Sequence, residues 1–128
     1  MSDREVVAKE IVQAFYRVYN SLGHGFLEKI YENSLALELR SAGFAVQPQA
    51  PIDVFYKGEI MGKYFADLLV EGCIIVEIKA VEHLVVEHEA QLLHYLRATN
   101  IDLGFLINFG PKPQIKRKIY QTARRSFS

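Results

Sequence analysis

Three charged residues interrupt two apolar segments near the middle of the chain. Asp67 lies in the first segment, and Glu77 and Lys79 lie in the second, where most neighbours are valine, isoleucine or leucine. This composition is typical of strands that are covered on both faces. An ionised group in that environment is costly unless a partner or a metal ion compensates it. The three side chains therefore indicate a chemical site.

The turn between the two segments decides whether the two carboxylates meet. Glu77 and Lys79 are two residues apart, so their side chains leave the same face of one strand. A two-residue turn at Glu71 and Gly72 would send the two carboxylates to opposite faces of the sheet. A three-residue turn, or a bulge at Gly72, would place Asp67 opposite Glu77.

Two interpretations of this cluster follow from the residue types. Carboxylates directly opposite each other repel, which favours a divalent cation between them, and oxygen ligands suit Mg²⁺ or Mn²⁺. An internal salt bridge between Lys79 and either Glu77 or Asp67 fits the spacing equally well. The four histidines lack the short spacings that are typical of a zinc site.

Length, cysteine content and charge limit the class of protein. The 128 residues suffice for one domain, 1–128, with a substantial core, and no apolar run reaches transmembrane length. The single cysteine, Cys73, excludes an internal disulfide bond and fits a reducing, cytoplasmic environment. The net charge is zero, but every charged residue after Asp102 is basic. Such a cationic end suits contact with a phosphate backbone or serves solubility alone.

The hydrophobic periodicity predicts an α/β fold with a mixed sheet flanked by helices. The order is helix, helix, three-stranded antiparallel meander, helix and a strand that a crossover makes parallel to its neighbour. Pro48 and Pro51 place the first strand at an edge or at a bulge. The predicted helices span 4–20, 27–41 and 87–99, and the predicted strands span 44–56, 59–70, 74–79 and 101–108. The segment 114–120 fits a short strand or helix, and we expect the basic end, 112–128, to fray.

Two helices carry further polar candidates. Glu28 lies in the first turn of the second helix and Tyr31 follows one turn later, although an acidic residue there also favours the helix dipole. On the third helix Gln91 and Tyr95 are four residues apart and share one face. That face either looks onto the polar cluster or is an ordinary helix surface.

Taken together, these residues resemble the PD-(D/E)XK nuclease signature. Asp67, nine intervening residues and Glu77-Ile78-Lys79 follow the pattern of that superfamily. The run Gln91-Leu-Leu-His-Tyr95 resembles the QxxxY motif of its RecB-like branch. Gly25-Phe-Leu-Glu28-Lys-Ile-Tyr31 resembles the motif that names the GxxExxY protein family. The resemblance implies a restriction-endonuclease-like core, with alanine in place of the proline of the founding motif.

The resemblance also implies an activity and a metal site. It implies a nuclease that uses Mg²⁺, or Mn²⁺, to hydrolyse phosphodiester bonds of DNA or RNA. The implied metal ligands are Asp67, Glu77, the carbonyl oxygen of Ile78 and Glu28. Lys79 would orient the attacking water and stabilise the transition state.

The remaining expected roles concern the substrate. Gln91 and Tyr95 would hold the nucleic-acid backbone or brace Lys79, so that Gln91 counts among the catalytic residues. We expect further substrate contacts from Tyr31, Lys116 and Lys118.

The expected partner is nucleic acid, with DNA ahead of RNA, and no membrane. Since the domain is small, a homodimer or a partner protein would help to enclose a duplex. The alternative function is a catalytically silent nucleic-acid-binding or protein-interaction module on the same fold.

Overall fold

The computed structural model describes residues 3–121 as a five-stranded sheet with helices on both faces. The elements in chain order are α1 (Arg4–Leu22), α2 (Glu28–Ser41), β1 (Val46–Tyr56), β2 (Glu59–Val70), β3 (Ile74–Lys79), α3 (Val86–Ala98), β4 (Leu103–Phe109) and β5 (Pro113–Ile119). The predicted α/β class and the predicted order of elements are confirmed. None of the helices in this part of the chain is long and apolar enough to cross a membrane.

The strands lie in the order β1-β2-β3-β4-β5. Strands β3 and β4 are parallel, because α3 connects them as a crossover, and the other neighbours are antiparallel. As its two prolines predict, β1 is an edge strand, and its register with β2 shifts between Val54 and Phe55.

The other edge of the sheet is formed by the segment for which the sequence allowed a short strand or a helix, and this segment is paired instead of frayed as far as Ile119. Pro113–Ile119 pairs with β4 from Phe109 to Leu103, and Ile115 packs against the core. Because β4 is buried throughout, its free backbone groups need a partner strand. Residues 122–128, the rest of the end that was expected to fray, lie outside the described residues.

The two faces of the sheet are covered by different helices. On one face, residues of β3 and β4 pack against α1 and α2, and on the other face Ile75 packs against Leu92 and Leu96 of α3. Because side chains alternate along a strand, Glu77 and Lys79 leave β3 on the same side as Ile75. Their positions therefore lie on the α3 side of the sheet.

Candidate active site

A three-residue turn joins β2 to β3. Val70 is opposite Ile74, and the intervening residues 71–73 form the turn. Glu71 and Gly72 adopt left-handed conformations, with φ of 53° and 64°, which is an ordinary conformation only for glycine. Of the two turns that the sequence allowed, the structure contains the one that places the two carboxylates opposite each other.

The backbone pairing of β2 with β3 ends at Leu68 and Val76. Beyond this pair, hydrogen bonds from backbone amides to side-chain carboxylates join the two strands. The amide of Asp67 donates to Oε2 of Glu77 at 2.7 Å, and the amide of Ile78 donates to Oδ2 of Asp67 at 2.7 Å. Each carboxylate thus bridges the two strands through one oxygen. The other two oxygens, Oδ1 and Oε1, accept no hydrogen bond from residues 3–121, so they are available to a ligand.

Burial and mutual repulsion act on both carboxyl groups. Glu77 is 4% exposed, and burial, followed by the charge of Asp67, raises its pKa to about 8. Burial also raises the pKa of Asp67, against the hydrogen bond from the Ile78 amide that lowers it. A buried and a half-buried carboxyl group that resist ionisation together are a typical environment for cation binding or catalysis.

Lys79 lies beside the two carboxyl groups but does not form the internal salt bridge that the sequence allowed. Its positive charge lowers the pKa of both Asp67 and Glu77. Within the described chain, no contact of 4.0 Å or less joins its ammonium group to either carboxylate. The ammonium group can therefore approach a substrate.

A buried asparagine holds the backbone that follows Lys79. Asn108 is fully buried and pairs with Lys79 across β3 and β4. Its Nδ2 donates to the carbonyl of Val81, and its Oδ1 accepts from the amide of Val81, both at 2.9 Å. Gly110 passes so close that an added Cβ would lie 2.0 Å from the Val81 carbonyl oxygen. The sequence analysis assigned no role to Asn108. The signal that could have found it was a polar side chain inside an apolar strand.

Helix α3 turns its polar face toward the carboxyl groups. Tyr95 is 4% exposed, and its hydroxyl accepts a hydrogen bond of 3.0 Å from Nε2 of Gln91. Burial, followed by the charges of Glu77 and Asp67, raises the pKa of Tyr95 to about 12. Of the two orientations that the spacing allowed for this face, the structure shows the one that looks onto the polar cluster. The Tyr95 phenol stays protonated at neutral pH and can donate a hydrogen bond.

Glu28 lies at the exposed first residue of α2, apart from the two carboxylates. No group of three His, Cys, Asp or Glu side chains that could hold a metal ion forms among residues 3–121. Glu28 does raise the pKa of Asp67, as the last of several contributions. The structure thus brings Asp67 and Glu77 together without gathering the expected additional ligand from α2, because the side chain of Glu28 is exposed to solvent.

Tyr31 lies in the core instead of facing a substrate. Its ring is fully buried and stacks on Phe109 with a centroid distance of 4.3 Å. Its hydroxyl donates to the carbonyl of Gly23 at 2.6 Å and accepts from the amide of Phe26 at 3.2 Å. These contacts shape the loop before α2, and burial leaves Tyr31 no exposed surface for the substrate contact that we expected.

Glu32 is a buried carboxylate near the site. The sequence analysis assigned no role to this residue. It is 5% exposed and accepts hydrogen bonds from Nζ of Lys29 at 2.7 Å and Nε2 of Gln49 at 2.9 Å. Its charge raises the pKa of both Asp67 and Glu77. An acidic residue on the buried face of α2 was the signal that could have found it.

Lys116 and Lys118 lie on β5, two strands away from β3. Both pair with Glu89 of α3, at Nζ to carboxylate oxygen distances of 2.7 and 2.5 Å. Hydrogen bonds from Lys116 and then Lys118 lower the pKa of Glu89 to about 2. The structure therefore does not bring these lysines to the carboxyl pair, and the carboxylate of Glu89 neutralises part of the charge that a substrate would meet.

Comparison with solved structures supports the observed fold. The crystal structure of SSO0001 resembles the fold with a TM-score of 0.57 at 17% identity, over 77% of this chain and 55% of that one. This chain thus spans little more than half the length of that protein. A search of curated proteins found no match.

A family model for the PD-(D/E)XK nuclease superfamily matches residues 5–119, which include every element of the sheet. The finer assignments to the GxxExxY family and the RecB-like branch stay predictions. The chain belongs to the PD-(D/E)XK nuclease superfamily.

Proposed function

We propose that this protein is a divalent-metal-dependent nuclease that hydrolyses phosphodiester bonds beside Asp67 of β2 and Glu77 of β3. The observation that carries the proposal is the pair formed by Asp67 and Glu77, each with one oxygen bonded across the strands and one available. Superfamily membership supports a nucleic-acid substrate.

The donor set fits Mg²⁺ or Mn²⁺. Mg²⁺ is usually held by one or two carboxylates, together with water and substrate phosphate oxygens, without a complete protein cage. Asp67, Glu77 and the carbonyl of Ile78 would hold the ion without a third carboxylate. When bound, it supplies positive charge beside the scissile phosphate and lowers the pKa of a water molecule.

The chain's own residues supply the rest of the chemistry. Lys79 donates hydrogen bonds to a phosphate oxygen and stabilises the negative charge that develops there. Asn108 fixes the backbone that follows Lys79, so that the ammonium group needs little rearrangement during the reaction. Gln91 orients the Tyr95 phenol, which stays protonated and donates to the nucleic-acid backbone.

The test combines metal binding with cleavage. Wild-type protein is titrated with Mg²⁺ and Mn²⁺ by calorimetry and then incubated with labelled single- and double-stranded DNA and RNA. We expect metal binding and cleavage in wild type and loss of both in Asp67→Asn. The matched control is Asp53→Asn, which removes the same charge from β1, where Asp53 pairs with Lys63 at 3.6 Å.

Each outcome has a defined meaning. Equal loss in the two variants would assign the effect to charge or folding rather than to the site. Metal binding without cleavage of any of the four substrates would favour a silent binding module. Absence of metal binding by wild type at millimolar concentration would overturn the proposal.

A further inference from the structure

A concave site lies between the β1–β2 hairpin and α3. This cavity has a volume of about 450 Å³, within the range of small-molecule sites. Its lining consists of Val54, Phe55, Tyr64, His94, Arg97 and Ala98. The role proposed for the carboxyl pair uses none of these side chains.

The lining combines aromatic rings with basic groups. Phe55 is 60% exposed and Tyr64 is 52% exposed, so their rings are open to a ligand. His94 and Arg97 face them from α3, and none of the described residues of the lining is acidic. Aromatic rings next to cations are the features on which unpaired nucleobases stack and to which phosphates are drawn.

The cavity borders the candidate active site at Tyr64, whose ring contacts the ring of Tyr95. The ring of Tyr64 lies 5.5 Å from the ring of Tyr95, centroid to centroid. His94 and Arg97 lie within one helical turn of Tyr95 along α3. A nucleic-acid strand whose phosphate contacts the hydroxyl of Tyr95 can therefore place a neighbouring base against Tyr64.

From this juxtaposition we infer that the cavity binds an unpaired base next to the scissile phosphate and that the substrate is single-stranded nucleic acid. The inference rests on the proposed nuclease function for the position of the phosphate. A base in a duplex is stacked on both faces and would first have to be unstacked to enter. Phe55 and Tyr64 supply the stacking surface, and Arg97 supplies the phosphate contact.

Binding without cleavage tests the inference. Fluorescence anisotropy in EDTA measures the affinity of wild type for a labelled oligonucleotide, as single strand and as duplex, in DNA and RNA form. We expect Phe55→Ala to weaken single-strand binding by at least about fivefold. Arg97→Gln should reduce the slope of log affinity against log salt concentration by about 0.7. Neither variant should change duplex binding.

Matched controls separate the cavity from general surface effects. Tyr56→Ala removes an aromatic ring that is 63% exposed on the residue next to Phe55 but outside the cavity. Arg40→Gln removes an exposed guanidinium near the end of α2, where Arg40 donates to the carbonyl of Val46. Both should keep wild-type affinity, and melting temperatures of all four variants report their folding.

The outcomes also separate this inference from the proposed nuclease. Absence of a single-strand preference in wild type, or equal losses in cavity and control variants, would overturn the inference even if the protein cleaves. Cavity-dependent binding of single strands without cleavage in Mg²⁺ or Mn²⁺ would sustain the cavity and overturn the nuclease.

Discussion

Two clusters of charged side chains border α3, and they differ in burial and in balance of charge. In the β5–α3 cluster, Lys116 and Lys118 surround the single carboxylate of Glu89, all three are partly exposed, and the pKa of Glu89 is lowered to about 2. In the β2–β3 cluster, composed of Asp67, Glu77 and Lys79, the carboxyl group of Glu77 is buried, that of Asp67 is half-buried, and the pKa of Glu77 is raised to about 8.

The comparison distinguishes a structural ion-pair cluster from the proposed reactive site. Exposed pairs with compensated charge contribute little and shift a carboxyl group toward ionisation. Buried carboxyl groups with insufficient positive charge remain poised to bind a cation. A lysine count alone would have favoured the β5–α3 cluster as the nucleic-acid contact, whereas the environment of the carboxyl groups favours the β2–β3 cluster as the reactive centre.

The largest expected difference between the clusters is catalytic. Glu77→Gln should lower the single-turnover cleavage rate in Mg²⁺ at least about 100-fold, because it removes charge from the proposed metal site. Glu89→Gln makes the same chemical change in the β5–α3 cluster and should leave the rate within about twofold. Equal losses in the two variants would contradict the division of roles.

Removal of the Asn108 side chain, which holds the backbone that follows Lys79, should have the next largest effect. Asn108→Ala leaves the amide and carbonyl of Val81 without their partner, which should cost about 2 kcal/mol of unfolding free energy. Displacement of Lys79 should lower kcat about 10-fold or more, while the calorimetric Mg²⁺ affinity stays unchanged. Asn33→Ala, at an exposed position of α2, is the control. An unchanged kcat in the destabilised variant would restrict Asn108 to a structural role.

The pH dependence of stability without metal should also differ between the clusters. Between pH 4.5 and about 8 the folded state keeps a proton on Glu77 that the unfolded chain has lost, so stability falls as pH rises through this window. The contribution of Glu89 to stability changes with pH in the opposite direction. Its stabilisation is present above pH 4.5 and is lost as pH falls toward 2. Melting curves in EDTA should show wild type losing several degrees across the first window, and Glu77→Gln should flatten that decline. A flat wild-type profile would contradict the raised pKa.

The smallest effect is expected from the lysines of β5. Lys116→Gln should shift the melting temperature by no more than about 3 °C, because exposed ion pairs contribute little and Lys118 still pairs with Glu89. Cleavage should stay within about twofold of wild type. A cleavage defect larger than that of Glu77→Gln would indicate that the β5–α3 cluster belongs to the active site.

Local patterns predicted most of the fold. The strands 59–70 and 74–79 form with the predicted bounds, because apolar residues fill both and a turn signal separates them. The parallel pairing of β3 with β4 followed from the helix between them. For 114–120 the sequence left a short strand and a helix open, because a short segment rich in lysine and arginine becomes a strand only when a buried neighbour offers its free edge.

The site was predictable where residue type alone carried the signal. Asp67, Glu77 and Lys79 were identified as charges inside apolar strands, but the turn that joins them allowed two registers. The substrate contact predicted for Tyr31 does not fit its buried position. Its place in a motif did not indicate whether the side chain faces a substrate or the core.

By itself the sequence determined the helices and the first four strands, and it identified Asp67, Glu77 and Lys79 as charged residues within apolar strands. Only the tertiary structure decided that a three-residue turn opposes the carboxylates, that Glu32 and Asn108 are buried, and that Glu89 pairs with both lysines of β5. The physical reason is range. Periodicity and turn chemistry act between neighbours in the chain, whereas pKa, burial and ion pairing depend on groups that only folding brings together.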